Sequence, residues 1–146
     1  MEILQDILKI IDWNRIKARL HISNAHPYPY KKEIWWASLG QNIGVEINGK
    51  NNKFERPVLV IRVFNTHSSF ISPITSTLSD KKFIISFTNL VGENNSTNIS
   101  QLRTISNKRL LRKIGEISDT EFEKVLETIR ETVLKTKTPL GVISES

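Results

Sequence analysis

The sequence predicts a mainly β fold with added helices (α+β): a small, strongly bent sheet or barrel, a C-terminal helix packed on it, and an extra helix at the N-terminus. Three observations carry this expectation. Residues 33–116 contain short runs rich in Ile, Val, Phe and Trp, separated by Asn/Gly/Ser clusters. Ser118-Asp119-Thr120-Glu121 reads as a capping box, followed by an apolar stripe at helical spacing. Residues 2–20 place Ile3, Leu4, Ile7, Leu8, Ile11 and Ile16 on a helical period with a polar opposite face.

In chain order, the N-terminal helix is expected over residues 1–20. Its apolar face of Ile3, Leu4, Ile7, Leu8 and Ile11 needs burial, either on its own barrel or against a partner subunit or groove. The arm of residues 21–32 follows, where Pro27 and Pro29 disfavour helix. The main domain spans 33–138, with strands expected at Glu33–Leu39, Ile43–Ile47, Val58–Phe64, Phe70–Ile74, Lys82–Phe87, Ile99–Ile105 and Leu111–Ile117. The Asn-rich stretch around Asn94, Asn95 and Asn98 reads as a polar loop. Phe122, Val125, Leu126, Ile129 and Val133 form the face of the closing helix that packs on the sheet. Residues 139–146 read as a frayed tail.

Composition narrows the class. The 146 residues are 38% hydrophobic and 25% charged, ordinary for a globular domain with a core. Cysteine is absent, which excludes disulfides and thiolate metal sites and fits a cytosolic protein. No apolar run is long enough to span a bilayer. Lys and Arg outnumber Asp and Glu by 21 to 15, for a net charge of +6 and a pI near 9.7. Arg103, Lys108, Arg109, Arg112 and Lys113 fall in a stretch without an acid, while acids concentrate in the last helix. A basic domain of this kind is a candidate for polyanion binding.

The chemistry is not announced by a familiar catalytic motif. There is no zinc-protease pair, phosphate loop or nucleophile elbow. His21, His26 and His67 lack metal-ligand spacing, so neither metal nor cofactor is expected. Polar residues at strand edges remain: Glu46 and Gly49 before a loop, Glu55-Arg56-Pro57 before the most apolar strand, and Ile74-Thr75-Ser76-Thr77 after another. Taken alone, Arg56 reads as a rim salt bridge and Thr75 as turn chemistry.

Several motifs in register change that reading. Glu33-Ile34-Trp35-Trp36, then Gly44-Val45-Glu46, Gly49 and Arg56-Pro57-Val58-Leu59-Val60-Ile61, resemble the opening of the MazF/PemK toxins. Pro73-Ile74-Thr75-Ser76 is similar to that family's P-[IVL]-T-S, and Gln101-Leu102-Arg103-Thr104-Ile105 to its Q-[IVLP]-R-T-[IV]. Lys113-Ile114-Gly115 and the capped helix are similar to its ending. The resemblance covers about residues 33–134 and implies the family's small SH3-like barrel. The sequence departs from the pattern in its longer loop, Lys50–Glu55, and in residues 1–32, which have no counterpart in compact family members. Ser100 stands where one branch has an acid, and Val45 where another has a histidine.

The resemblance implies a toxin of a toxin–antitoxin pair that cuts single-stranded RNA without a metal, by attack of the RNA's own 2′-hydroxyl on the adjacent phosphate. It carries Arg56 over as main catalyst and Thr75 as its partner. Glu46, Ser76, Arg103, Lys108 and Arg109 are the candidate RNA-binding residues, and one of Trp35 and Trp36 could stack on a base. It further implies a homodimer, and an antitoxin whose acidic, disordered tail fills the RNA groove. Two alternatives stay open at this point: a non-enzymatic toxin of the same fold, similar to gyrase poisons, and a basic RNA-binding domain without cleavage.

Overall fold

The computed structural model describes residues 2–76 and 81–135. Helix α1 (Glu2–Ile22) is followed by strands β1 (Glu33–Ser38), β2 (Glu55–Val63), β3 (Ser68–Thr75), β4 (Ile84–Thr88), β5 (Asn94–Asn98), β6 (Arg103–Ser106) and β7 (Leu110–Glu116), then helix α2 (Asp119–Thr128). The strands form one sheet in the order β4-β5-β3-β2-β1-β7, with β6 also paired to β3. All these pairings are antiparallel. β5 takes the end of β3 at Ile74 and Thr75, and β6 takes its beginning at Ser68–Ile71. One strand thus serves two half-sheets, and the sheet bends at β3 without closing into a barrel. A bulge in β2 between Val60 and Arg62 adds curvature.

Alternation along β2 divides the core. Leu59 and Ile61 join Ile34, Ile85, Phe87 and Ile117 beneath Phe122, Val125 and Ile129 of α2 and the turn after it. Val58 and Val60 face the other way, onto Ala37, Leu39, Ile71, Ile105 and Leu110. The expected cap starts α2, with the Glu121 N–H donating to Ser118 Oγ at 3.2 Å. Residues 136–138 of the expected domain and the expected tail at 139–146 lie outside the described residues.

Three expectations for the sheet are corrected. Ile43–Ile47 is a turn rather than a strand, with Ile43 and Val45 at 82% and 90% exposure. The side-chain amide of Asn42 donates to the Leu39 and Ile47 carbonyls, closing the loop on itself and leaving no edge to pair. Conversely, the Asn-rich stretch is strand β5. Its buried Thr97 hydroxyl bonds Ser72 Oγ and the Pro73 carbonyl, so polar side chains are satisfied inside the sheet. Ile99–Ile105 splits into a 3-10 turn at Ile99–Gln101 and β6, because Asn98 Oδ1 caps the Ser100 N–H.

Helix α1 forms as expected but does not bury the stripe that predicted it. Ile3, Leu4, Ile7, Leu8 and Ile11 are 48–77% exposed, so packing of that face on its own sheet does not occur. The helix is about 31 Å long, and the small sheet reaches its second half. Docking runs through Trp13, the one buried residue of α1. Its ring lies 5.7 Å from the Phe54 ring, with the Arg109 guanidinium 5.6 Å over it. Gly40, at φ +87°, lies flat against the indole where any Cβ would collide with the ring. Phe54 belongs to the long loop, so the helix and the loop that depart from the family pattern hold each other.

Candidate functional site

β2 begins with Glu55, 3% exposed, whose carboxylate is gripped by Arg112 at 2.9 Å from the neighbouring part of the sheet. Arg112 also stacks 5.1 Å over Trp36. This anchor sets the direction of the next residue, Arg56. Its Nε donates to the Asn48 carbonyl at 2.9 Å and its NH1 reaches the Ile74 carbonyl at 3.5 Å. The guanidinium is therefore held between the loop before β2 and the end of β3, against the residue preceding Thr75. It is half-buried, and desolvation lowers its pKa from the ordinary arginine value. None of the ion pairs among the described residues involves Arg56. Backbone carbonyls orient this cation, and no carboxylate among the described residues pairs with it.

Thr75 ends β3 opposite Ser96 of β5 and is half-buried. Ser76 follows it at the surface. The Gly44-Val45-Glu46 turn is brought to the same region by Gln101, whose Oε1 accepts from the Ile47 N–H and whose Nε2 donates to the Val45 carbonyl. A cavity of about 450 Å³ lies beneath this tie, with Glu46, Ser100, Gln101, Arg103 and Pro73 in its wall. Glu46 turns its carboxylate onto the Ile43 N–H at 2.9 Å and so stiffens the turn. Gly49 is required by close packing, since its Cα lies against the Phe54 carbonyl with no room for a side chain.

Lys108 and Arg109 are occupied elsewhere. Lys108 Nζ donates to the His21 carbonyl at 2.7 Å and caps the C-terminal end of α1. Arg109 donates to the Ser38 and Leu39 carbonyls and covers Trp13. Its pKa is lowered by burial and by the nearby charge of Arg103. Both residues thus seat α1 on the sheet. Trp35 packs against the second core cluster and donates its indole N–H to Glu33 at 3.0 Å. Burial alone would push the Glu33 carboxyl up. Hydrogen bonds from Trp35, the Tyr30 N–H and Lys113 outweigh that and hold it below the usual range.

Among the described residues, no group of three or more His, Asp or Glu side chains is placed to hold a metal ion. No helix there is long and apolar enough to cross a membrane. A cavity of about 790 Å³ lies between Tyr28 and Tyr30 of the arm and α2, and includes none of the seven candidate residues. The sequence reading missed Asn48, which orients Arg56 through its carbonyl, and Gln101 as the tie between the two motifs. The former leaves no sequence signal because the contact is through backbone. The latter stood in the motif itself.

A family profile described as PemK-like, MazF-like toxin of type II toxin–antitoxin system matches residues 30–133. No curated protein matches the chain in sequence. Solved structures share the fold. An endoribonuclease from a mycobacterial species, solved with its cognate antitoxin, superposes with a TM-score of 0.58 at 12% identity, covering 76% of this chain and all of the other. MazF from Deinococcus radiodurans gives 0.58 at 16%, covering 75% and 100%. The Mycobacterium tuberculosis toxin MazF-mt6 gives 0.54 at 18%, covering 72% and 99%.

Proposed function

We propose that this chain, which belongs to the PemK-like, MazF-like toxins of type II toxin–antitoxin systems, is a metal-independent endoribonuclease acting on single-stranded RNA. The observation that carries the reading is Arg56: a half-buried guanidinium, fixed by two carbonyls and in no ion pair among the described residues. Such a group is oriented to receive an anion.

The chemistry needs no outside nucleophile. The 2′-oxygen forms a bond to phosphorus and the bond from phosphorus to the 5′-oxygen breaks. The proton leaves the 2′-hydroxyl and one is delivered to the departing 5′-oxygen. The products are a 2′,3′-cyclic phosphate and a 5′-hydroxyl. Arg56 stabilises the charge that accumulates on the non-bridging oxygens, because a permanently charged guanidinium is a poor base but a good clamp. The Thr75 hydroxyl donates to one of those oxygens. Glu46, Ser76 and Arg103 border the path of the strand. Incubation with a long single-stranded RNA in EDTA should give fragments with cyclic phosphate ends. Binding without cleavage would favour a plain RNA-binding domain, and neither binding nor cleavage a non-enzymatic toxin.

The partners follow the same reading. A homodimer whose groove runs along the subunit interface would take single-stranded RNA. The acidic, disordered tail of a cognate antitoxin would compete for that groove, drawn by the +6 charge. The mycobacterial endoribonuclease was solved in complex with its cognate antitoxin. Light scattering at micromolar concentration should report twice the 16.8 kDa chain mass. A monomer there would count against the shared groove.

A further inference from the structure

Helix α1 and the long loop enclose a second groove, of about 740 Å³, that the proposed reaction does not use. Lys9, Arg15 and Arg19 line it from the helix, and Lys50 lines it from the loop. Asp12 is the single acid in its wall. None of the four cations takes part in an ion pair among the described residues. Elsewhere Lys32, Arg112, Lys113, Lys124 and Arg130 all have carboxylate partners. Four cations without an ion pair thus share one concave surface.

The groove leads to the candidate site. Its wall includes Gly49, whose neighbour Asn48 supplies the carbonyl that holds Arg56. Lys50 is bonded through its backbone to Glu55 in both directions, at 2.8 and 2.9 Å, and Glu55 directly precedes Arg56. Arg15 and Arg19 are four residues apart on one helical face, about 6 Å along the axis. That suits successive phosphates of an extended strand better than a compact anion. The wall is largely charged and polar, which suits an anion rather than an apolar ligand, and the Trp13–Phe54 contact joins the helix to the loop.

Resting on the nuclease reading, we infer that this groove is an accessory track for single-stranded RNA, gripping the phosphates of nucleotides that flank the cleaved bond. The helix and loop that the compact family pattern lacks would lengthen the footprint of the enzyme. Substrates with long flanks are then bound in preference to short ones.

The test uses the full chain and the triple variant Arg15→Ala/Arg19→Ala/Lys50→Ala. Binding is read by fluorescence anisotropy on 2′-O-methyl strands of four and twenty nucleotides, which cannot be cut. The variant should bind the long strand about tenfold more weakly, with a smaller loss on the short one. Its log–log salt slope should flatten by about 2, for three phosphate contacts at roughly 0.7 each. Lys124→Ala/Arg130→Ala removes one cation from α2 and one from the turn after it, and should change neither. An unchanged long-strand affinity and salt slope in a folded triple variant overturns the inference, as does tighter competition by poly-glutamate than by RNA of equal charge. Cleavage assays separate the two readings. If the wild-type chain cuts nothing yet the triple variant loses long-strand binding, the nuclease reading falls and the track stands. If cleavage proceeds and the variant binds normally, the reverse holds.

Discussion

Arg56→Ala should lower the rate of RNA cleavage by on the order of 10²–10³, the usual cost of removing a fixed electrostatic contact to a developing charge. The reason lies in its setting. The Asn48 and Ile74 carbonyls fix the guanidinium before substrate arrives. Partial burial then strengthens its attraction for a phosphorane relative to a solvated cation. Arg56→Lys should not restore the rate, because one ammonium cannot hold both carbonyls and still face an anion in a fixed plane. Thr75→Ala should cost more than tenfold by removing a donor to the same oxygens. Both substitutions leave the core clusters untouched, so melting temperature and circular dichroism should stay near wild type. The effect should appear in single-turnover rates at saturating RNA. Full activity in either folded variant would remove that residue from the site, and a loss within about tenfold would leave it a supporting role.

Trp13→Ala should release helix α1 while the rest of the domain stays folded. Trp13 is the sole buried residue of a 21-residue helix. Its ring is enclosed by Phe54, Gly40 and Arg109. Truncating a buried tryptophan costs on the order of 3–5 kcal/mol in cores, and α1 has little else to hold it. A helix detached from its packing partner is marginal in water. Amide hydrogen exchange over residues 2–22 should therefore rise to near the free-peptide rate, while β2 and β3 keep their protection. Gly40→Ala should produce the same pattern from the opposite wall, since its methyl would occupy the space of the indole. Unchanged protection of α1 in Trp13→Ala would show that the exposed stripe of Ile3, Leu4, Ile7 and Leu8 finds another surface.

Periodicity and turn chemistry by themselves determined the order of helix, arm, strand-rich domain and capped helix. They also specified where α2 begins, because Ser118 and its cap are local and owe nothing to distant residues. The motif residues Arg56 and Thr75 stand out in the sequence as well, through their resemblance to a family whose profile covers residues 30–133. Tertiary structure decided the remainder. An Asn-rich stretch became a strand because Thr97 and Ser96 find partners across the sheet, and the run Ile43–Ile47 became a turn because Asn42 closes it. Lys108 and Arg109 stand in the sequence only as part of a basic run, and the carbonyls and the indole that hold them are supplied by other elements. Trp13 carries the docking of α1 although the apolar stripe advertised a different face. Local sequence encodes which conformations a segment favours, whereas the partner that satisfies a long polar side chain or buries a ring comes from residues far along the chain. Only the folded chain brings those residues together.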